Sequence, residues 1–273
     1  MQEPISITIP FSGFGQMHEY RIKSTIRNNV TLKSPKDKVW VRDIGIIFTG
    51  REEEGYRFQV FCLKVEDRSA SAPIYSLEKT KFRLFDDVRI SVSAEGEIKK
   101  LNNLSTIQKR WKEMRRELEK INQGDSVQNY FNSIDQLLED KQKIINFLSD
   151  YVMLGLFFNG TVFGNLAAFT ENKKTVAPEF LLSTRIEELW KKQNTQQQQN
   201  EIYFSVKGQA IDPAKPQQKD LLKKYEGTFI YEGNRLIDAG IETHYNNHFR
   251  KHTLLWTGLT QYSTEEKKTI QKP

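Results

Sequence analysis

The hydrophobic residues of this chain change their period twice along its length, and that change limits the folds open to it. From Ile5 to Ile98 apolar side chains recur mostly at every second position, the repeat of a strand with one buried face. Ile5, Ile7 and Ile9 alternate with polar residues and stop at Pro10. Tyr20, Ile22, Ser24 and Ile26 alternate with Arg21, Lys23, Thr25 and Arg27. The runs Val39–Phe48 and Tyr56–Val65 flank a polar, Gly-bounded loop, a hairpin signal. Further strands are expected at Lys81–Phe85 and Val88–Val92, with a turn at Glu95-Gly96 before Ile98.

At Ser105 the period lengthens. Ile107, Trp111, Met114, Leu118 and Ile121 recur at alternating spacings of four and three, which predicts an amphipathic helix ending at Gly124. A second helix is expected from Asp125 or Ser126 through Leu148, antiparallel to the first across the short turn. The most apolar stretch, Tyr151–Phe158, follows, and a helix is expected over Pro178–Lys192. A polar Gln-rich run at 193–200 reads as a surface loop. Strand periodicity then returns at Ile202–Val206, Gly227–Tyr231, Arg235–Ile241 and Phe249–Leu259, with Gly233-Asn234 as a hairpin turn.

The expectation is therefore α+β: antiparallel β-rich N- and C-terminal segments flanking a helical middle. One unit over 1–273 is favoured over two β domains bridged by helices, with 1–100 β-rich, 104–192 mainly helical and 200–262 β-rich. Seventeen Phe, ten Tyr and four Trp supply enough bulk to fill an interior despite a hydrophobic fraction of only 37%. No run of about 20 residues is continuously apolar, so no membrane-spanning helix is expected. The N-terminal residues show no basic n-region, apolar h-region or lipidation cysteine, and with a single Cys the expected address is cytoplasmic.

Candidate chemistry is sparse. The net charge of +6 is modest for a nucleic-acid binder, and the basic run from Lys109 to Lys120 is interrupted by Glu113, Glu117 and Glu119, a solvated helical face. Three of the four histidines fall at 244, 248 and 252. Four-residue spacing suits metal ligation on a helix. Here, however, Asn246-Asn247 resembles a hairpin turn that would pair Tyr245 with His248 and His244 with Phe249. His244 then faces away, leaving His248 and His252 as the metal candidates. Phe11-Ser-Gly-Phe-Gly15 lacks the Lys and helix of a phosphate loop, and the acidic pairs Asp86-Asp87 and Glu187-Glu188 point apart on any regular element. Cys62 sits among apolar neighbours as packing. No nucleophile elbow or paired Cys-x-x-Cys is present, so neither catalysis nor a cofactor is expected.

What remains is a non-enzymatic binding or assembly protein: an adaptor, a chaperone, or a subunit of a larger machine such as a bacterial secretion apparatus. A protein partner would dock on the apolar middle, with Leu154, Phe157, Phe158 and Phe163 as the candidate contacts. The alternatives are a small-molecule or lipid carrier with an aromatic-lined cavity, and a metal-dependent enzyme.

Overall fold

A computed structural model describes residues 15–28, 37–69, 75–161, 170–176, 185–193, 201–211, 222–245 and 248–261. The expected strand at Ile5–Ile9, residues 178–184 of the expected helix, residues 194–200 of the Gln-rich run, Phe163 and the Asn246-Asn247 turn lie outside the described residues, and Gln193, expected in that loop, ends β7. The chain order is β1 (Gln16–Asn28), β2 (Lys38–Glu52), β3 (Gly55–Asp67), α1 (Tyr75–Leu84), β4 (Asp87–Ser93), β5 (Ile98–Leu101), α2 (Leu104–Ile121), α3 (Asp125–Glu139), α4 (Lys141–Ser149), β6 (Glu171–Val176), β7 (Ile186–Gln193), β8 (Glu201–Ala210), β9 (Leu222–Glu232), β10 (Arg235–Tyr245) and β11 (His248–Gln261).

All of the strands belong to one antiparallel sheet of eleven, ordered β5-β4-β3-β2-β1-β11-β10-β9-β8-β7-β6. The α+β expectation with a helical middle is thereby corrected to a β-rich fold. The first and last strands of the described chain, β1 and β11, pair at its centre, Ser24 against His252. The two β-rich ends are therefore two halves of one sheet, and the helices α2–α4 are an excursion between its two edges, β5 and β6.

Two elements differ in kind from the sequence reading. Lys81–Phe85, expected as a strand, ends helix α1, because Leu77, Phe82 and Leu84 are buried on the helix while the run alone is too short to distinguish the periods. Of Pro178–Lys192, expected as a helix, the described part from Ile186 onward belongs to strand β7. Its buried side chains are Ile186, Glu188 and Trp190, alternating with the outward Glu187, Leu189 and Lys191. A buried glutamate beside an outward leucine inverts the polarity on which the period is read. The long second helix is in fact two: Asp140 takes an extended conformation and its carboxylate accepts from Gln142 N and Lys143 N, capping α4. Helices α2 and α3 do run antiparallel, with Gln108 bonded to Leu138 O and Trp111 to Asp135.

The sheet is rolled, as the segment after α4 shows. Val152 O accepts from Arg42 on β2, while Tyr151 donates to Glu188 on β7, six strand positions away. A flat sheet would separate those strands by about 29 Å. Asn159 O accepts from Lys174 on edge strand β6, and a Cβ on the next residue, Gly160, would lie 3.1 Å from Glu97 in the turn before the opposite edge, β5. Flat, the two edges would be about 48 Å apart. The strands therefore curl around residues 150–161. Inside, Phe157 packs on Tyr20 at 5.3 Å and Phe158 on Phe58 at 5.2 Å, burying the most apolar stretch of the chain. The edges are protected by brevity at β5, four residues, and by charge at β6, Glu-Asn-Lys-Lys-Thr-Val.

Candidate functional site

On the inner face of the C-terminal half, the apolar lining gives way to polar side chains at the same level of successive strands. Lys174 on β6 pairs with Glu188 on β7, and Glu188 with Gly208 on β8. Tyr225 on β9 pairs with Thr243 on β10. His252 on β11 lies across from Ile241 and from Ser24 on β1. Period two places all of these on the concave side.

Glu188 is fully buried and accepts from Tyr151 OH at 2.6 Å, from Trp190 Nε1 at 2.9 Å and from Tyr225 OH. Three donors offset the desolvation that a lone buried carboxylate would suffer. Burial first, and then the Glu188 charge, pushes the Tyr151 hydroxyl far above its ordinary range, and burial likewise leads for Tyr225, so both remain donors. Gly208 lets Tyr225 reach a strand two places away: a Cβ there would lie 2.4 Å from the tyrosine Cδ1. Lys174 donates to Asn159 O, and burial lowers its affinity for a proton while Glu188 and Glu97 raise it. His252 Nδ1 bonds Ser24 Oγ at 2.9 Å. Burial, followed by the Arg250 and Arg42 charges, brings its pKa down to about 3, so the ring is neutral at physiological pH.

Lys174, Tyr225, Thr243 and His252 border a cleft of about 260 Å³, closed on its other side by Ile145 and Asn146 of α4 and by Tyr151, Gly155 and Phe158. Val176 and Ile241 add apolar walls. Beside it, Arg42 holds the inner segment in place. Its guanidinium donates to Val152 O and, at 2.9 Å, to Met153 O, and lies 4.8 Å from the Phe82 ring centre. Burial lowers the Arg42 pKa to about 10, which leaves the cation charged. A second hollow of about 360 Å³ lies between β2, β3 and β4. Its Arg57 faces Glu52 at 3.6 Å, and Arg89 faces Asp87 at 3.7 Å, so its cations are already matched.

The residues singled out from sequence are dispersed. Leu154, Phe157 and Phe158 are 3%, 3% and 2% exposed, inside the rolled sheet. Tyr245 does pair with His248 and His244 with Phe249, so His248 and His252 share a face. Four residues of strand separate them by about 14 Å, too far for one ion. His248 Nδ1 meets Asn28 Oδ1 at 3.0 Å. Among the described residues no group of three His, Cys, Asp or Glu is arranged to hold a metal. Cys62 is half-buried, and burial raises its pKa to about 11, the opposite of an activated thiol. Glu187 and Glu188 point apart as expected: Glu187 lies outside with Lys173 at 3.2 Å, and Glu188 points inward, behind the Tyr151 and Tyr225 hydroxyls that border the cleft. Lys174, Tyr225 and Thr243 were missed. The available signal was the alternation Ile-x-Glu-x-Trp at 186–190, in which a glutamate holds a core position.

No protein-family model matches the chain, and no curated protein matches it. Two solved structures resemble it at low similarity. One is titled a putative outer membrane lipoprotein-sorting protein domain from Vibrio parahaemolyticus, at 8% identity and a TM-score of 0.25 over 96% of this chain and 94% of that one. The other is a DUF1329 family protein from Desulfovibrio piger, at 9% identity and a TM-score of 0.19 over 92% and 87%. The cytoplasmic address expected from the sequence is withdrawn, because a lone thiol with no second cysteine to pair with suits an oxidising envelope equally well. No helix among the described residues is long and apolar enough to cross a membrane.

Proposed function

We propose that the chain is a non-enzymatic binding protein, acting as one unit, that carries a small amphipathic molecule in the cleft between α4, residues 149–158 and strands β6, β9, β10 and β11. The observation that carries this reading is the cleft itself, a space of about 260 Å³ on the inner face of the sheet, beside a core of buried aromatics. A concave site with apolar walls and a few convergent polar groups is the usual form of a small-ligand site. The space is slightly smaller than the roughly 300–1,000 Å³ that encloses drug-sized ligands, which favours a compact occupant.

Carriage of a small molecule is preferred to the holding of a polypeptide. The stretch expected to be displayed to a protein partner is the one the sheet encloses, so Leu154, Phe157 and Phe158 offer no exposed surface. Native mass spectrometry of the untagged protein, before and after extraction with organic solvent, tests the proposal. A stoichiometric small-molecule adduct that is lost on extraction and regained from the extract supports it. An unliganded mass that takes up nothing from a cell extract overturns it.

A further inference from the structure

Thr243 and His252 are 3% and 4% exposed, and both line the cleft. Thr243 Oγ1 has no hydrogen-bond partner among the described residues, and His252 bonds only through Nδ1, to Ser24, which leaves Nε2 open. Ile241 pairs directly with His252, so Thr243, two residues along β10, is its diagonal neighbour on the same face. Diagonal positions lie about 7–8 Å apart at the backbone, within reach of one head group placed between the side chains. Both atoms are reached from the cleft rather than sealed within the protein, so an occupant there can supply the bonds that the chain does not.

The charges along the same wall narrow its chemistry. Glu97 is bonded to Lys99, Asp150 accepts from Val152 N at 2.8 Å, and Lys174 is bonded to Asn159 O. Glu188, behind Tyr151 and Tyr225, already accepts three bonds. Lys174, the one cation lining the cleft among the described residues, is bonded to a backbone carbonyl and already lies in the field of the Glu188 and Glu97 carboxylates, and the deep polar atoms left open are an uncharged hydroxyl and an imidazole nitrogen. A charged head group would shed its hydration without gaining a free counter-charge.

Resting on the carrier reading above, we infer that the cleft selects amphipathic molecules with an uncharged, hydroxyl-type head group, which Thr243 Oγ1 and His252 Nε2 bind while the apolar tail lies against Ile145, Phe158, Val176 and Ile241. Thr243 can donate or accept. The Ser24–His252 bond can take either sense, so Nε2 can offer a proton or a lone pair. A head group that both donates and accepts, as an alcohol does, is matched in either arrangement.

Three probes with one tail and three heads decide the matter: 1-octanol, octanoate and octylammonium. With only four histidines in the chain, imidazole nitrogen NMR of the ¹⁵N-labelled protein can follow His252 separately. The expected result is that 1-octanol shifts the His252 Nε2 resonance and binds at least tenfold more tightly than either ion. Thr243→Val is expected to weaken octanol about 3- to 10-fold, the worth of one hydrogen bond, and to leave the ions unchanged, while Thr243→Ser restores the preference. Equal affinity for the three probes, with His252 shifted by all of them, overturns head-group selection and leaves the carrier reading standing. Failure of every probe to shift His252 overturns both. Should Thr243→Val fail to fold, the ranking of the three probes on the natural chain still decides.

Discussion

Strands β1–β5 and β6–β11 are halves of one sheet, yet their concave faces end differently. The N-terminal half turns Tyr20, Ile44, Ile46, Phe48, Phe58, Val60 and Ile90 inward, and α1 and the segment after α4 cover them completely. Its one buried cation among the described residues, Arg42, is spent on the chain's own carbonyls. The C-terminal half carries Lys174, Glu188, Tyr225, Thr243 and His252 at the same depth and keeps a cleft in front of them. Gly208 and Gly227 sustain that difference in a half where bulk would otherwise fill the space: a Cβ at either would come within 2.4 Å of Tyr225 or 2.3 Å of Ile241. One half is closed by its own side chains, and the other keeps a cleft.

The comparison breaks most readily at the closed half. Phe58→Ala removes a ring packed against Phe48 and Phe158, in a region the chain has already filled. A loss of about 3–5 kcal/mol is expected in denaturant titration. A loss under 1 kcal/mol would mean that this half is not tightly packed.

Next in size is Glu188→Leu. The substitution fits a core position but strands the Tyr151 and Tyr225 hydroxyls and Trp190 Nε1 in a buried site. Each orphaned donor costs about 1–3 kcal/mol, less whatever the cleft's solvent recovers, so a net loss of about 3 kcal/mol is expected. Glu188→Gln keeps an acceptor and should lose less. If the leucine variant were as stable as the natural chain, the polar row would not be an integrated network.

These two positions also show what could be read in advance. Phe58 lies in a run whose alternation, Tyr56, Phe58 and Val60, states its own burial, and the flanking hairpin and most C-terminal strands were legible in the same way. Glu188 lies in a run whose alternation is intact but whose buried member is charged, so it read as a helix. The sheet's closure through β1 and β11 pairs residues such as Ser24 and His252 that are 228 positions apart, and no local pattern encodes such a pairing. Thr243 looked like any strand threonine. Only the register that sets it beside Tyr225 and diagonal to His252 makes it part of a site.

Acid should act with opposite sign on the two buried histidines and on Asp86. His252 and His18 have folded pKa values near 3 and 4, below the 6.5 of the unfolded chain, with burial the leading cause in both. Between those values the unfolded state binds more protons, so their contribution is complete above pH 6.5 and is lost as pH falls through that window. By pH 5.5 the loss is about 1.4 kcal/mol for each. Asp86, beside α1 in the N-terminal half, has its pKa raised to about 6 by burial and gains relative stability over the same range, returning part of that loss. A net fall of about 2 kcal/mol between pH 7 and pH 5.5 is expected in thermal or chemical melts. His252→Phe should flatten the slope. A steeper slope in that variant would contradict the buried, neutral state of the ring.

The smallest effect discriminates most finely. Removing a satisfied hydroxyl from a packed interior destabilises, because its partner is left unmet. Thr243 Oγ1 has no partner among the described residues, so Thr243→Val, of nearly the same shape, exchanges an unmet polar atom for a methyl group against Ile241 and Tyr225. The ligand-free protein should become more stable by about 0.5 kcal/mol. The corresponding change at Ser24, whose Oγ meets His252 Nδ1, should lower stability by about 1 kcal/mol. Opposite signs at two buried hydroxyls two strands apart would locate the open side of the molecule in β10 and the closed side in β1. A loss at both would show that Thr243 serves the fold, and the polar row would then be scaffolding for the sheet rather than the wall of a binding site.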